Sequence, residues 1–161
     1  MNATELLKKQ HDQVKQLFQE FERAEDEESK RLAFEQLADD LAAHATIEER
    51  LFYPAVYVGD LKDELQEAVE EHLSVKRVIA DLLEMNVEEE EFAAKMAVLN
   101  ELVEDHVEDE ERELFPKVRR NFATQELEAL GAAMEAMFNE LKEQEPREQI
   151  PNQLEGPAPL E

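Results

Sequence analysis

One pattern occurs twice along this chain, and it places all four of its histidines. The run His44-Ala-Thr-Ile-Glu48-Glu49-Arg50-Leu51-Phe52-Tyr53-Pro54 aligns without a gap on His106-Val-Glu-Asp-Glu110-Glu111-Arg112-Glu113-Leu114-Phe115-Pro116. A second pair repeats as well: His11-Asp-Gln-Val14-Lys15 matches His72-Leu-Ser-Val75-Lys76, and His11 precedes His44 by 33 positions as His72 precedes His106 by 34. The chain therefore reads as two copies of one unit, each bringing a lone His and a His-x-x-x-Glu, and the four histidine-bearing segments can enclose a metal centre between them.

Hydrophobic spacing turns those segments into helices. Only three glycines and six prolines punctuate the 161 residues, which predicts long helices joined by short loops. The first helix is expected from about Thr4, as N-cap, to Ala24, with Leu7, His11, Val14, Phe18 and Phe21 on one face. The second, about Glu28 to Tyr53, carries Leu37, Leu41, His44, Glu48 and Leu51. The third, about Leu61 to Met85, carries Leu65, Val69, His72, Lys76 and Ile79. The fourth, about Glu89 to Val118, carries Phe92, Met96, Leu99, Val103, His106 and Glu110. In each of them the histidine lies within the apolar stripe and so faces inward. Pro54 and Pro116 read as terminators of the two ligand-bearing helices.

A fifth amphipathic helix follows from Thr124, with Leu127, Leu130, Met134, Phe138 and Leu141 in register. It has no histidine and is expected to flank the bundle or a second copy of the chain. The Pro-, Gln- and Glu-rich stretch from Pro146 reads as disordered. The expected organisation is all-α: an up-down four-helix bundle over residues 1–122, a flanking helix over 123–145 and a disordered tail over 146–161.

Residues four apart on a helix share a face, so His44 with Glu48, and His106 with Glu110, each present an imidazole and a carboxylate to one point. Nitrogen ligands with carboxylates that can bridge two cations suit iron or manganese, and a chain without cysteine cannot build a thiolate site. Buried Glu48 and Glu110 would cost several kcal/mol each, roughly, if left unpaired, and two cations supply the compensation. Glu49 and Glu111, about 140° round the helix from the preceding His, are expected at the surface or behind the ligands.

Forty-two acidic against seventeen basic residues give a formal charge of −25, which works against nucleic acid and anionic membrane as partners. No apolar run approaches a membrane span and no apolar signal core follows the N-terminus, so a cytoplasmic location is the expectation.

The set His11, His44-x-x-x-Glu48, His72, His106-x-x-x-Glu110, with the tails Glu-Glu-Arg-Leu-Phe-Tyr-Pro and Glu-Glu-Arg-Glu-Leu-Phe-Pro, resembles the hemerythrin-like (HHE cation-binding) domain over roughly residues 4 to 120. Mycobacterial-type members have the nearest shape of chain. The resemblance implies two iron ions with a bridging oxo or hydroxo group, ligated by His11, His44, His72 and His106 and bridged by Glu48 and Glu110. Oxygen-carrying members place a fifth histidine where this chain has Lys76, and one of their bridging carboxylates falls five residues after its His, which makes Glu111 the alternative to Glu110.

An ammonium has no lone pair for a metal, so Lys76 either extends to solvent or leaves an iron position open for a small oxidant, with Tyr53 as a nearby oxygen donor. The expectation is catalase-like reaction with hydrogen peroxide, with Lys76 and Tyr53 as candidate catalytic groups and a homodimer as an option for the assembly. Binding, storage or sensing of dioxygen, nitric oxide or iron is the alternative, and a zinc-stabilised bundle is the third reading.

Overall fold

The computed structural model describes residues 1–160 and is all-α. α1 (Ala3–Arg23) is capped by Asn2, whose side chain accepts from the Glu5 N–H while the Glu5 carboxylate accepts from the Asn2 N–H. The cap thus lies two residues before Thr4. α2 (Glu27–Ile47) starts on Asp26, which accepts from the Ser29 N–H. α4 (Leu61–Leu83) and α5 (Glu90–Asp109) form the second hairpin. α1 packs on α2 and α4 on α5, as short loops between successive helices require. No helix among the described residues is long and apolar enough to cross a membrane.

The arrangement is not four simple helices with one appended. Immediately after α2 the chain makes a π turn, Glu48–Phe52, and runs on as α3 (Tyr53–Ala55); after α5 a second π turn, Glu110–Leu114, leads into α6 (Phe115–Asn121). Pro54 and Pro116 explain both. Neither has an N–H to give the carbonyl four residues back, and each ring crowds that carbonyl, so the helix takes in one extra residue per turn instead of stopping. The reading of Pro116 as a terminator is therefore corrected: α6 continues past it to Asn121. Leu51, expected on the inner stripe, is only partly buried, whereas Phe52 and Tyr53 have no exposed surface.

α7 (Thr124–Lys142) packs on α1 and α2. Gly131 permits its approach, because a Cβ there would stand 2.6 Å from the Met1 carbonyl oxygen and 2.9 Å from the Ala3 nitrogen. The expected disordered tail is overturned. Pro146–Gln153 is a 3-10 segment packed on α2 and α4, with Ile150 at 1% exposure and Leu160 at 3%. Composition alone called for disorder, but these two apolar side chains find walls to pack on. Glu161, the last residue of that stretch, lies outside the described residues.

Two apolar clusters fill the bundle. One gathers Leu7, Phe52, Val56, Leu65, Val69, Phe115 and Met134. The other gathers Val14, Phe18, Phe34, Leu37, Ile79, Phe92 and Leu99. The four histidines fall between them along α1, α2, α4 and α5 and the turns that continue them: His11 between Leu7 and Val14, His44 between Leu41 and Ile47, His72 between Val69 and Ile79, His106 between Val103 and Leu114.

Candidate metal centre

Four helices each deliver one imidazole to that dividing layer: His11 from α1, His44 from α2, His72 from α4 and His106 from α5, each at 5–6% exposure. Glu48 and Glu110, the first residues of the two π turns, are at 0% and 2%. Ligand atoms of His11, His44, Glu48 and Glu110 all lie within 4.8 Å of one another, and so do those of Glu48, His72 and His106. Glu48 belongs to both groups. Its Oε1 is 3.3 Å from His44 Nε2 on its own helix and 3.0 Å from His72 Nε2 on another. Glu110 repeats the arrangement, with Oε1 3.4 Å from His106 Nε2 and 3.1 Å from His11 Nε2.

Each outer ring nitrogen has a partner of its own. His11 Nδ1 meets Glu111 at 2.7 Å, His72 Nδ1 meets Glu49 at 2.7 Å, His44 Nδ1 meets the Gln10 side-chain oxygen at 2.7 Å, and His106 Nδ1 meets Glu71 at 2.8 Å. An acceptor on Nδ1 fixes the proton there and turns the Nε2 lone pair inward. Glu49 and Glu111 thus stand behind histidines of other helices. Glu111, the alternative to Glu110, lies on the outer side of His11, while Glu110 is in the cluster. Gln10 and Glu71 were missed. Their signal was the duplication itself, since each immediately precedes a lone His and each is polar.

The π turns also aim Tyr53. Five residues on an α-helix carry a side chain about 140° away, but the Tyr53 N–H bonds to the Glu48 carbonyl five residues back, which returns Tyr53 to the face of Glu48. Its hydroxyl donates to Glu110 Oε2 at 2.6 Å and lies 3.2 Å from His72 Nε2 and 3.4 Å from His106 Nε2. Phe115 holds the equivalent place in the other half, stacked on His11 at 5.9 Å with 5° between ring planes. Lys76 does not extend to solvent. It is 7% exposed and its ammonium donates to Glu49 at 3.0 Å, so it reaches the cluster only through the Glu49–His72 pair.

Charge is balanced in the metal-free protein by protons. Burial pulls His11 down, but hydrogen bonds with Glu110 and Glu111 and the attraction of nearby carboxylates more than offset it and raise it to about 9. His106 is likewise held up against burial by Glu110, Glu48 and Glu71, and Glu110 is held well below the usual carboxylate range by His106 and His11 despite its burial. Burial dominates at His44 and lowers it to about 4. Tyr53 is pushed well above its usual value, first by burial and then by Glu110 and Glu48, so its hydroxyl keeps its proton.

These residues fit a pair of iron ions. His44 Nε2 and Glu48 Oε2 are buried in the cluster without a hydrogen-bond partner, and His72 Nε2 and His106 Nε2 face each other at 3.1 Å, a convergence of ring nitrogens that a cation would satisfy. Donors of nitrogen and carboxylate oxygen suit iron. A cavity of about 40 Å³ adjoins the four imidazoles, walled by Val14, Leu41, Ile79, Val103 and Ile150 among others.

Comparison with known proteins agrees with this geometry. The hemerythrin HHE cation binding domain matches residues 2–118. A protein of Mycobacterium tuberculosis named Uncharacterized protein Rv2633c is 29% identical over 144 residues, covering 88% of each chain. The crystal structure of an HHE cation binding domain-containing protein of Mycobacterium kansasii, an Rv2633c homolog, is similar with a TM-score of 0.81 at 27% identity, covering 89% of each chain. A protein of Nostoc sp. named DNA nickase is 28% identical over 143 residues, which are 89% of this chain and 41% of that protein, so the chain spans less than half of it.

Proposed function

The chain belongs to the hemerythrin HHE cation-binding family, related to the mycobacterial Rv2633c-type proteins, and on that premise we propose that it decomposes hydrogen peroxide at a di-iron centre. The carrying observation is the place of the Tyr53 hydroxyl. It keeps its proton and lies 3.2 Å from His72 Nε2 and 3.4 Å from His106 Nε2, beside the group formed by Glu48, His72 and His106. A proton donor beside a metal position favours chemistry over storage.

When bound, the iron pair would supply the two-electron redox capacity needed to convert peroxide to water and dioxygen. His11, His44, Glu48 and Glu110 would hold one ion, and Glu48, His72 and His106 the other, with Glu48 common to both groups and Glu110 also within 3.4 Å of His106. Gln10, Glu49, Glu71 and Glu111 hold the four rings in one tautomer. Tyr53 can pass its proton to an oxygen held near His72 and His106, and Glu110 orients the hydroxyl for that transfer. Lys76 pairs with Glu49 at 2.9 Å and so steadies His72 from behind. Aliphatic walls above the imidazoles keep bulk water away. Action on DNA, the activity named for the Nostoc relative, is not carried over, because a charge of −25 opposes the phosphate backbone.

Metal analysis of iron-loaded protein, followed by oxygen release from peroxide, tests this reading. Two irons per chain and turnover that falls in Tyr53→Phe are expected. One zinc per chain with no iron uptake would overturn the metal assignment, and iron-loaded protein without oxygen release would move the function to reversible binding of a small oxidant.

A further inference from the structure

The cavity beside the imidazoles is walled on one side by a residue from outside the four histidine-bearing helices. Of its lining residues, Ile150 alone comes from elsewhere among the described residues, on the 3-10 segment Pro146–Gln153. α2 and α4 touch each other only sparingly, and that segment packs on both, so Ile150 fills the groove between them. The family match ends at residue 118, which places this stopper beyond the cation-binding domain.

The strap that carries Ile150 is held at both ends. Glu145, in the left-handed region at φ 50°, turns the chain back from α7. Arg147 then fastens it to α2, with its guanidinium donating to Asp39 at 2.7 Å and its backbone N–H to the same carboxylate at 3.1 Å. Further on, Arg77 of α4 donates to the Leu154 carbonyl at 3.2 Å, and Leu160 is buried in the opposite apolar cluster. The space of about 40 Å³ has room for about three to four water-sized molecules, given that one needs roughly 10–15 Å³ on the same measure.

We propose that Ile150 is the specificity-determining residue for access to the metal centre, a hydrophobic stopper between α2 and α4 that admits molecules of two or three heavy atoms and excludes bulkier ones. The inference rests on the proposed reaction of a small oxidant at that centre, and it adds what limits the oxidant's size. Hydrogen peroxide and diatomic gases pass; an alkyl hydroperoxide does not.

Three variants test it: Ile150→Ala, Ile150→Trp and Arg147→Ala, the last lying in the strap and away from every proposed ligand. Two readouts do not depend on turnover. The first is xenon binding by the protein as isolated, followed by xenon NMR; it should strengthen in Ile150→Ala and disappear in Ile150→Trp. The second is the rate at which azide changes the optical spectrum of the iron-loaded protein. It should rise about tenfold in Ile150→Ala and in Arg147→Ala, and fall by about as much in Ile150→Trp if that variant folds. Tert-butyl hydroperoxide should oxidise the reduced Ile150→Ala protein and leave the parent unreacted. Azide rates within twofold of the parent in both Ile150→Ala and Arg147→Ala, or unchanged xenon binding in Ile150→Ala, would overturn the proposal. Azide rates that change as expected, in a parent that releases no oxygen from peroxide, would keep the stopper and remove the peroxide reading.

Discussion

Tyr53→Phe removes a single oxygen from the centre of the bundle, and its cost follows from what that oxygen touches. The ring itself is no obstacle, since Phe115 already occupies the equivalent place in the other half and the Tyr53 ring packs against Phe52 and His72 at 5.9 and 5.4 Å. What disappears is a 2.6 Å hydrogen bond to Glu110, a carboxylate at 2% exposure. A hydrogen bond to a charged group contributes about 1.5–3 kcal/mol, and no water replaces the donor in so closed a site. For a chain of 161 residues each kcal/mol moves Tm by about 2–4 °C, so chelator-treated Tyr53→Phe should melt about 3–12 °C below the parent. Scanning calorimetry on the metal-free proteins measures this, and oxygen release at equal iron content measures the catalytic part. A Tm within 1 °C of the parent would refute the hydrogen-bond argument. A lowered Tm with undiminished turnover would leave the hydroxyl as a structural group and end its role as proton donor.

Gly131→Ala sets two effects against each other: helix propensity favours Ala by about 1 kcal/mol, but its Cβ would meet the Met1 carbonyl oxygen at 2.6 Å, and overpacking costs about 1–3 kcal/mol. A net loss in urea unfolding is expected, and a gain would mean that α7 does not lie so close to the N-terminus. Deleting residues 146–161 should lower stability by about 3–5 kcal/mol, because Ile150 and Leu160 each bury a full apolar side chain; the same urea titration checks it, and an unchanged midpoint would return the segment to disorder. The metal-free protein should be most stable near pH 6.5. Protonated His11, raised to about 9, contributes stability that is complete below 6.5 and lost as pH rises through 9, whereas neutral His44, lowered to about 4, loses its contribution as pH falls from 6.5 toward 4. Melting temperatures across pH 4 to 10 should trace that dome, and a flat profile would contradict the burial of both rings.

The candidate ligand residues are legible because their spacing and the apolar periodicity coincide: Leu7, His11, Val14 and Phe18 mark one face in the sequence alone. The π turns are not. An α-helical phase carried past Glu48 puts Leu51 and Phe52 inward and turns Tyr53 away, and only the missing N–H of Pro54, acting on a carbonyl four residues earlier, moves the inward positions on to Phe52 and Tyr53. Gln10 and Glu71 escaped for a related reason. Each lies beside the stripe and reaches a histidine on another helix, a contact that depends on helix packing and not on spacing within one segment. The C-terminal strap was obscured by composition, since two apolar residues among prolines, glutamines and glutamates give no period, and their burial depends on a groove that other parts of the chain build.

The histidine layer divides the interior into two separate hydrophobic compartments, and each of the four histidine-bearing helices runs through both. A polar seam across a bundle interrupts the continuity of apolar contact on which all-or-none unfolding depends. Cations drawn between imidazoles and carboxylates of four helices act there as a rivet, making one cooperative body out of two. Without them the compartment around Phe34 and Phe92 and the compartment around Phe52 and Phe115 can open at different temperatures, so the breadth of a melting transition, and not only its midpoint, becomes a measure of how fully the centre is loaded.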